Sequence, residues 1–146
     1  MSKHGGMLKV VKLLMGLDDD WIVRKEAMHV VGNVATRGTD YQVMSLVECG
    51  AIEGICSVLG FNDKQVILFA LDGLDAILKM GQKLGKDYVS FVDECDGTAK
   101  LEQLQFHESD EVYEKAKQMI NDYLSIIVGS EVDDEAFVQQ FQQFHC

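Results

Sequence analysis

The chain has 146 residues, 47% of them hydrophobic, four cysteines and no proline, so it is a folding sequence of about one domain rather than a disordered or loop-rich one. Its formal charge of -11 argues against a nucleic-acid partner, which would need a basic surface, and favours basic protein partners. Residues 1–37 carry six Lys/Arg against four Asp/Glu and residues 38–146 carry seven against twenty, so any pull on a basic partner is expected toward the C-terminal end.

In chain order, the first element is an apolar helix after Gly5, with Met7, Val10, Val11 and Leu14 on one face. A long helix follows with Val23, Ala27, Val31 and Val34 on one face, ended by Gly38. A short helix spans Tyr41 to Cys49. Gly50 then turns the chain into a medium helix with Ile52, Ile55, Cys56 and Leu59, a copy of the first at an offset of 45. The second long helix places Val66, Ala70, Leu74 and Ile77 as the first did, 43 residues on, with Asp63 as its cap and Gly85 after it. A short helix from Val89 to Cys95, a corner at Gly97 and a weaker apolar set of Leu101, Leu104 and Phe106 come next. The third long helix carries Val112, Ala116, Ile120 and Tyr123, a further 46 residues on, capped by Ser109.

A period of 43–46 residues belongs to armadillo and HEAT arrays. Three helices per unit, with a glycine between the first two, point to armadillo rather than to HEAT pairs. The expected fold is an all-α, right-handed superhelical armadillo solenoid fragment of about two and a half three-helix repeats. Its divisions are a partial repeat over 3–37, full repeats over 39–85 and 88–126, and an acidic, Phe/Gln-rich tail over 127–146. The first unit lacks its short helix, as in a piece of a longer array. One unit alone cannot bury its apolar faces, whereas stacked units share a core. Ala27, Ala70 and Ala116, at equivalent places, are expected to let neighbouring long helices approach. In the tail, Phe137, Phe141 and Phe144 fall on one helical stripe, expected to cap the array or to dock a partner groove.

Catalysis has no foothold. His4, His29, His107 and His145 form no nucleophile signature with the cysteines, and no phosphate loop appears. Asp18, Asp19 and Asp20 lack the glycine and final glutamate of a calcium loop. Cys49, Cys56, Cys95 and Cys146 form no CxxC pair and are expected to be reduced thiols, mostly in the core. No metal, no cofactor and no membrane anchor is expected, and the expected compartment is cytosol or nucleus.

Particular residues carry a resemblance. Arg24-Lys25-Glu26-Ala27, Asn33 and Gly38-Thr39, then Leu46-Val47-Glu48-Cys49-Gly50-Ala51-Ile52, then Asp72-Gly73-Leu74-Asp75-Ala76-Ile77-Leu78, and finally Glu94-Cys95-Asp96-Gly97, Leu101-Glu102, Leu104, His107-Glu108 and Glu111-Val112-Tyr113 resemble repeats eight to ten of the importin-alpha family over residues 3–124. The resemblance implies an adaptor that carries lysine-rich localisation signals into the nucleus and shuttles between cytoplasm and nucleus. It further implies that the last repeats bind the export receptor CAS with RanGTP, a basket nucleoporin, or cargo on the outer C-terminal surface. The basic importin-beta-binding segment of the family is not in this stretch. In the family a Trp and an Asn one turn apart on a concave helix grip the signal peptide. Here His29 stands in the Trp place and Asn33 in the Asn place, and Asp72 stands at the equivalent turn of the next long helix, which implies a weakened remnant of the minor signal site. His107, Glu108, Asp110, Glu111, Tyr113 and Glu114 become the partner-binding acidic surface. An armadillo adaptor outside nuclear transport is the alternative.

Overall fold

The computed structural model describes residues 5–16 and 20–124. These form eight α-helices and one π turn, with no strand among them: α1 (Gly5–Leu14), α2 (Trp21–Arg37), α3 (Asp40–Glu48), α4 (Ala51–Val58), α5 (Lys64–Leu84), α6 (Tyr88–Glu94), α7 (Gly97–Leu104) and α8 (Asp110–Met119), which runs on into the π turn Ile120–Leu124. The Phe/Gln-rich tail, with its proposed capping helix and its acidic cluster, lies outside the described residues.

The helices start where short polar side chains can take up orphan backbone donors. Asp63 accepts from the Val66 N–H at 3.2 Å and Ser109 from the Val112 N–H at 3.5 Å, as their sequence positions predict. Asp20 caps α2, Asp87 caps α6, and Thr39 with Gln42 forms a reciprocal capping box at α3. Gly85 closes α5 in the left-handed region at φ 72°. Gly38 also ends its helix, but with extended backbone (φ -77°, ψ 169°), because the next residue, Thr39, must already cap α3.

The two glycine corners work differently. Gly50 sits at φ 96°, where a side chain is strained, and leads into α4. At the second corner the left-handed residue is Asp96 (φ 65°), one place earlier than the sequence predicts. Gly97 is needed for space instead: a Cβ there would lie 2.6 Å from Val92 Cγ1, 2.7 Å from Cys56 Sγ and 2.9 Å from the Val92 carbonyl oxygen. Gly97→Ala is expected to destabilise the fold by about 1–3 kcal/mol, since one of the obstructing atoms is backbone and another is a buried sulfur. A urea titration against the unsubstituted chain measures it, and an unchanged midpoint would mean the corner relaxes freely.

One core runs through all units. The equivalent residues Ala27 and Val31, then Val66, Ala70, Leu74 and Ile77, then Val112, Ala116 and Ile120 are all buried. The long helices α2, α5 and α8 lie side by side in that order, with α5 packed on both neighbours. The three alanines are buried, and α2 and α5 also approach closely at Gly32 and Gly73, where a Cβ on Gly73 would lie 3.4 Å from the Gly32 Cα. The medium helices α1, α4 and α7 form a second row, and the short helices α3 and α6 close the outer edge against α4 and α5.

Arg24 joins the first two units. Its guanidinium donates to the Leu14 carbonyl and to the Ser57 hydroxyl, both at 2.9 Å, and lies 4.8 Å from the Phe61 ring centre. Trp21, the one tryptophan of the chain, stacks flat on Phe61 with ring centres 4.5 Å apart.

Candidate protein-binding faces

The row of long helices presents a continuous outer face. On α2 that face carries Glu26, His29, Val30 and Asn33, all exposed, and on α5 it carries Phe69 and Asp72. His29 and Asn33 stand one turn apart. Across the seam the His29 ring meets the Phe69 ring, with centres 4.4 Å apart and a tilt of 57°. Phe69 was not singled out by sequence reasoning, because it interrupts the polar side of an otherwise regular helix without belonging to the repeated apolar set. The Asn33 side chain has no partner among the described residues, so both its amide donor and its acceptor are open.

Asp72 shares a cation with Asp75. The Lys115 ammonium reaches across from α8 to sit 2.8 Å from Asp75 and 3.8 Å from Asp72. Tyr123, on the π turn, donates to Asp75 Oδ1 at 2.6 Å. Burial by itself would raise the Asp75 carboxyl, but the hydrogen bonds from Lys115 and Tyr123 outweigh it and hold the group below its ordinary value. Burial first, and then the Asp75 hydrogen bond, push the Tyr123 phenol well above its ordinary value. Asp72, the more exposed carboxylate, therefore faces a cation already half-claimed by its neighbour. Nothing in the sequence pattern brings Asp75, Lys115 and Tyr123 together, because the contact crosses a whole repeat.

The acidic surface lies at the start of α8. Glu108, Asp110, Glu111 and Glu114 are exposed. Glu111 pairs with Lys64 of α5 at 2.8 Å, while Glu108, Asp110 and Glu114 have no ion-pair partner among the described residues. An exposed pair of that kind is worth little in stability. His107 is turned inward to structure the loop: its Nδ1 accepts from the Ser109 N–H at 3.0 Å. Tyr113 is half-buried, with the Lys117 ammonium 5.5 Å from its ring centre. Of the six residues of this surface, three carboxylates are open, one is paired, and His107 and Tyr113 are engaged within the fold.

Among the described residues no group of three or more His, Cys, Asp and Glu is placed to hold a metal, and no helix is long and apolar enough to cross a membrane.

Stacked three-helix units, turning between short and medium helix at a left-handed Gly50 or Asp96 and sharing one core, define an armadillo-repeat array, and the family model for an atypical armadillo repeat matches residues 86–139. Three curated relatives are importin subunits alpha. The chain is 32% identical over 109 residues to importin subunit alpha-8 of Arabidopsis thaliana, covering 70% of this chain and 25% of that one. It is 35% identical over 88 residues to importin subunit alpha-3 of Caenorhabditis elegans, and 37% over 93 residues to importin subunit alpha-1b of Oryza sativa subsp. japonica. Those two matches cover 60% and 59% of this chain and 17% of each relative. These are armadillo repeats of the importin-alpha family. The matched stretches span a quarter or less of the length of these relatives.

Proposed function

We propose that this chain is a protein-binding scaffold, the C-terminal region of an importin-alpha-type nuclear-import adaptor, and that it shuttles between cytoplasm and nucleus. The observation that carries this reading is the coincidence of importin-alpha-type repeats with three unpartnered carboxylates, Glu108, Asp110 and Glu114, at the start of α8. Carboxylates without internal cations attract Lys and Arg of a partner and speed its approach, in a salt-dependent manner. Proteins with basic contact patches are thus the expected partners: the export receptor CAS with RanGTP, a basket nucleoporin, or cargo on the outer C-terminal surface.

The remnant signal site takes a lesser role. Asn33 can hold a peptide backbone through its open amide, and the His29–Phe69 pair offers an apolar ledge beside it. Imidazole is a smaller platform for a lysine stem than indole, and Asp72 already faces Lys115. Weak binding of lysine-rich peptides follows.

The test is binding of the purified full chain to CAS, with and without RanGTP, at two salt concentrations. Reversing Glu108, Asp110 and Glu114 to Lys together is expected to weaken RanGTP-dependent binding by about tenfold or more at low salt, and by less at high salt. RanGTP-dependent binding that ignores both the reversals and the salt would move the contact elsewhere on the array. Undiminished binding to basic peptides, with none to CAS, would favour the signal-site role.

A further inference from the structure

Cys56 and Cys95 come from successive units, yet both border Gly97: a Cβ there would lie 2.7 Å from the Cys56 sulfur and 2.9 Å from the Val92 carbonyl oxygen, and the Cys95 thiol donates to that same carbonyl at 3.5 Å. Cys56 is buried in α4 at 1% exposure, and Cys95, the residue that ends α6, is half-buried. Two features hold the pair together. The α4 and α6 helices pack directly, and Gly97 leaves the space that the Cys56 sulfur fills. A cleft of about 330 Å³ opens beside Cys95, lined also by Val47, Ile52, Glu53, Phe91 and Glu94. Solvent thus reaches one sulfur of the pair and not the other.

We propose that Cys95 and Cys56 are an oxidation site: hydrogen peroxide entering the cleft converts Cys95 to a sulfenic acid, which Cys56 resolves to a disulfide linking two successive repeats. In the first step the Cys95 thiolate attacks one peroxide oxygen, the O–O bond breaks, and hydroxide leaves and takes up a proton as water. In the second, the Cys56 sulfur attacks the Cys95 sulfur, the S–O bond breaks, and the departing hydroxide leaves as water with the Cys56 proton. Two thiols lose two electrons and one peroxide becomes two waters.

The order of attack follows from the surroundings. The neighbouring Cys56 thiol lowers the Cys95 pKa, helped by the Gly97 N–H and the nearby Lys100 against the effect of burial, and Cys95 is the member of the pair that lines the cleft, so attack begins there. Lys100 is anchored there, donating to the Cys56 carbonyl at 3.2 Å. Cys56, beside Cys95 and buried, is pushed far up and is the resolving thiol. The oxidant is small and neutral, because Glu53 and Glu94 at the cleft repel an anionic disulfide such as oxidised glutathione. In a reducing compartment the bond is transient and tracks the peroxide supply.

The test treats the reduced full chain with one equivalent of hydrogen peroxide, alkylates the remaining thiols, and maps a non-reducing digest by mass spectrometry. The expected product is the Cys56–Cys95 linked peptide pair, lighter by two hydrogens, formed before any disulfide with Cys49 or Cys146 and reversed by dithiothreitol. Cys56→Ser, with unchanged far-ultraviolet circular dichroism, is expected to leave a Cys95 sulfenic acid that dimedone traps. Cys95→Ser is expected to leave Cys56 fully alkylated after unfolding. Full alkylation of Cys56 in the peroxide-treated wild-type chain, with Cys95 carried on to sulfinic acid or joined to another cysteine, overturns the proposal without recourse to either variant.

Discussion

Truncating Leu74 to alanine is expected to cost the array about 2–5 kcal/mol, one of the largest losses available to a single substitution in it. Leu74 is fully buried near the middle of α5, the helix that packs on α2 on one side and α8 on the other. The lost methyl groups leave a cavity in the shared core. A stability of about 5–15 kcal/mol is usual for a domain of this size, so the loss is a large share of the whole. In a stacked array the damage also uncouples the units, because stability depends on neighbour interfaces. Urea unfolding followed by circular dichroism measures both effects: a lower midpoint reports the lost burial, and a broadened or split transition reports uncoupling. Phe69→Ala, five residues earlier on the exposed face of the same helix, serves as the contrast. It is expected to leave the midpoint nearly in place. Equal losses from both substitutions would mean the face near His29 is part of the core.

Replacing Asp75 by asparagine should remove about 2–3 kcal/mol at neutral pH, because it discharges the acceptor of two hydrogen bonds, one of them from a cation. The pH profile separates this from a packing effect. The folded Asp75 carboxyl lies below the ordinary carboxylate value, so its contribution is complete above about pH 4 and is lost as pH falls through the folded pKa. Tyr123 acts in the opposite direction. Its folded pKa is raised, so its contribution holds below about pH 10 and is lost as pH rises through the folded value. The unsubstituted chain and Asp75→Asn should therefore differ at pH 7 and converge in acid. A difference that stays constant down to pH 2 would assign the loss to shape rather than charge. Combining Asp75→Asn with Tyr123→Phe should give less than the sum of the two, since the two side chains share one hydrogen bond.

Local physics explains how much of this could be read beforehand. The repeat period, the three-helix units and the caps at Asp63 and Ser109 depend on neighbours within one or two turns, and such signals survive in a bare sequence. The Gly50 corner belongs with them, since few other residues accept its φ. Gly97 shows where the inference slips. A glycine at a corner suggests backbone freedom, but this one is fixed by what lies against it, while Asp96 takes the left-handed turn. The faces were legible only in outline. The importin-alpha resemblance singled out His29 with Asn33 and the carboxylates of α8. It could not show that Phe69 leans on His29, that Glu111 is spent on Lys64, or that His107 turns inward to the Ser109 amide. The Asp75–Lys115–Tyr123 cluster and the Cys56–Cys95 pair were invisible for the same reason: each joins different repeats, and a periodic pattern says which face a residue is on but not which residue of the next unit it meets.

The contact of Gly32 with Gly73 has a mechanical consequence. Where two helix backbones nearly touch, no side chain keeps them apart, so the point behaves as a fulcrum. On one side of it the His29–Phe69 pair acts as a spacer, and on the other Ala35 sets a shorter gap. These flanking contacts then add to the shared core in setting the angle between α2 and α5. His29 and Ala35 each stand three residues from Gly32, so a partner that presses on the aromatic pair would act about one helical turn from the pivot.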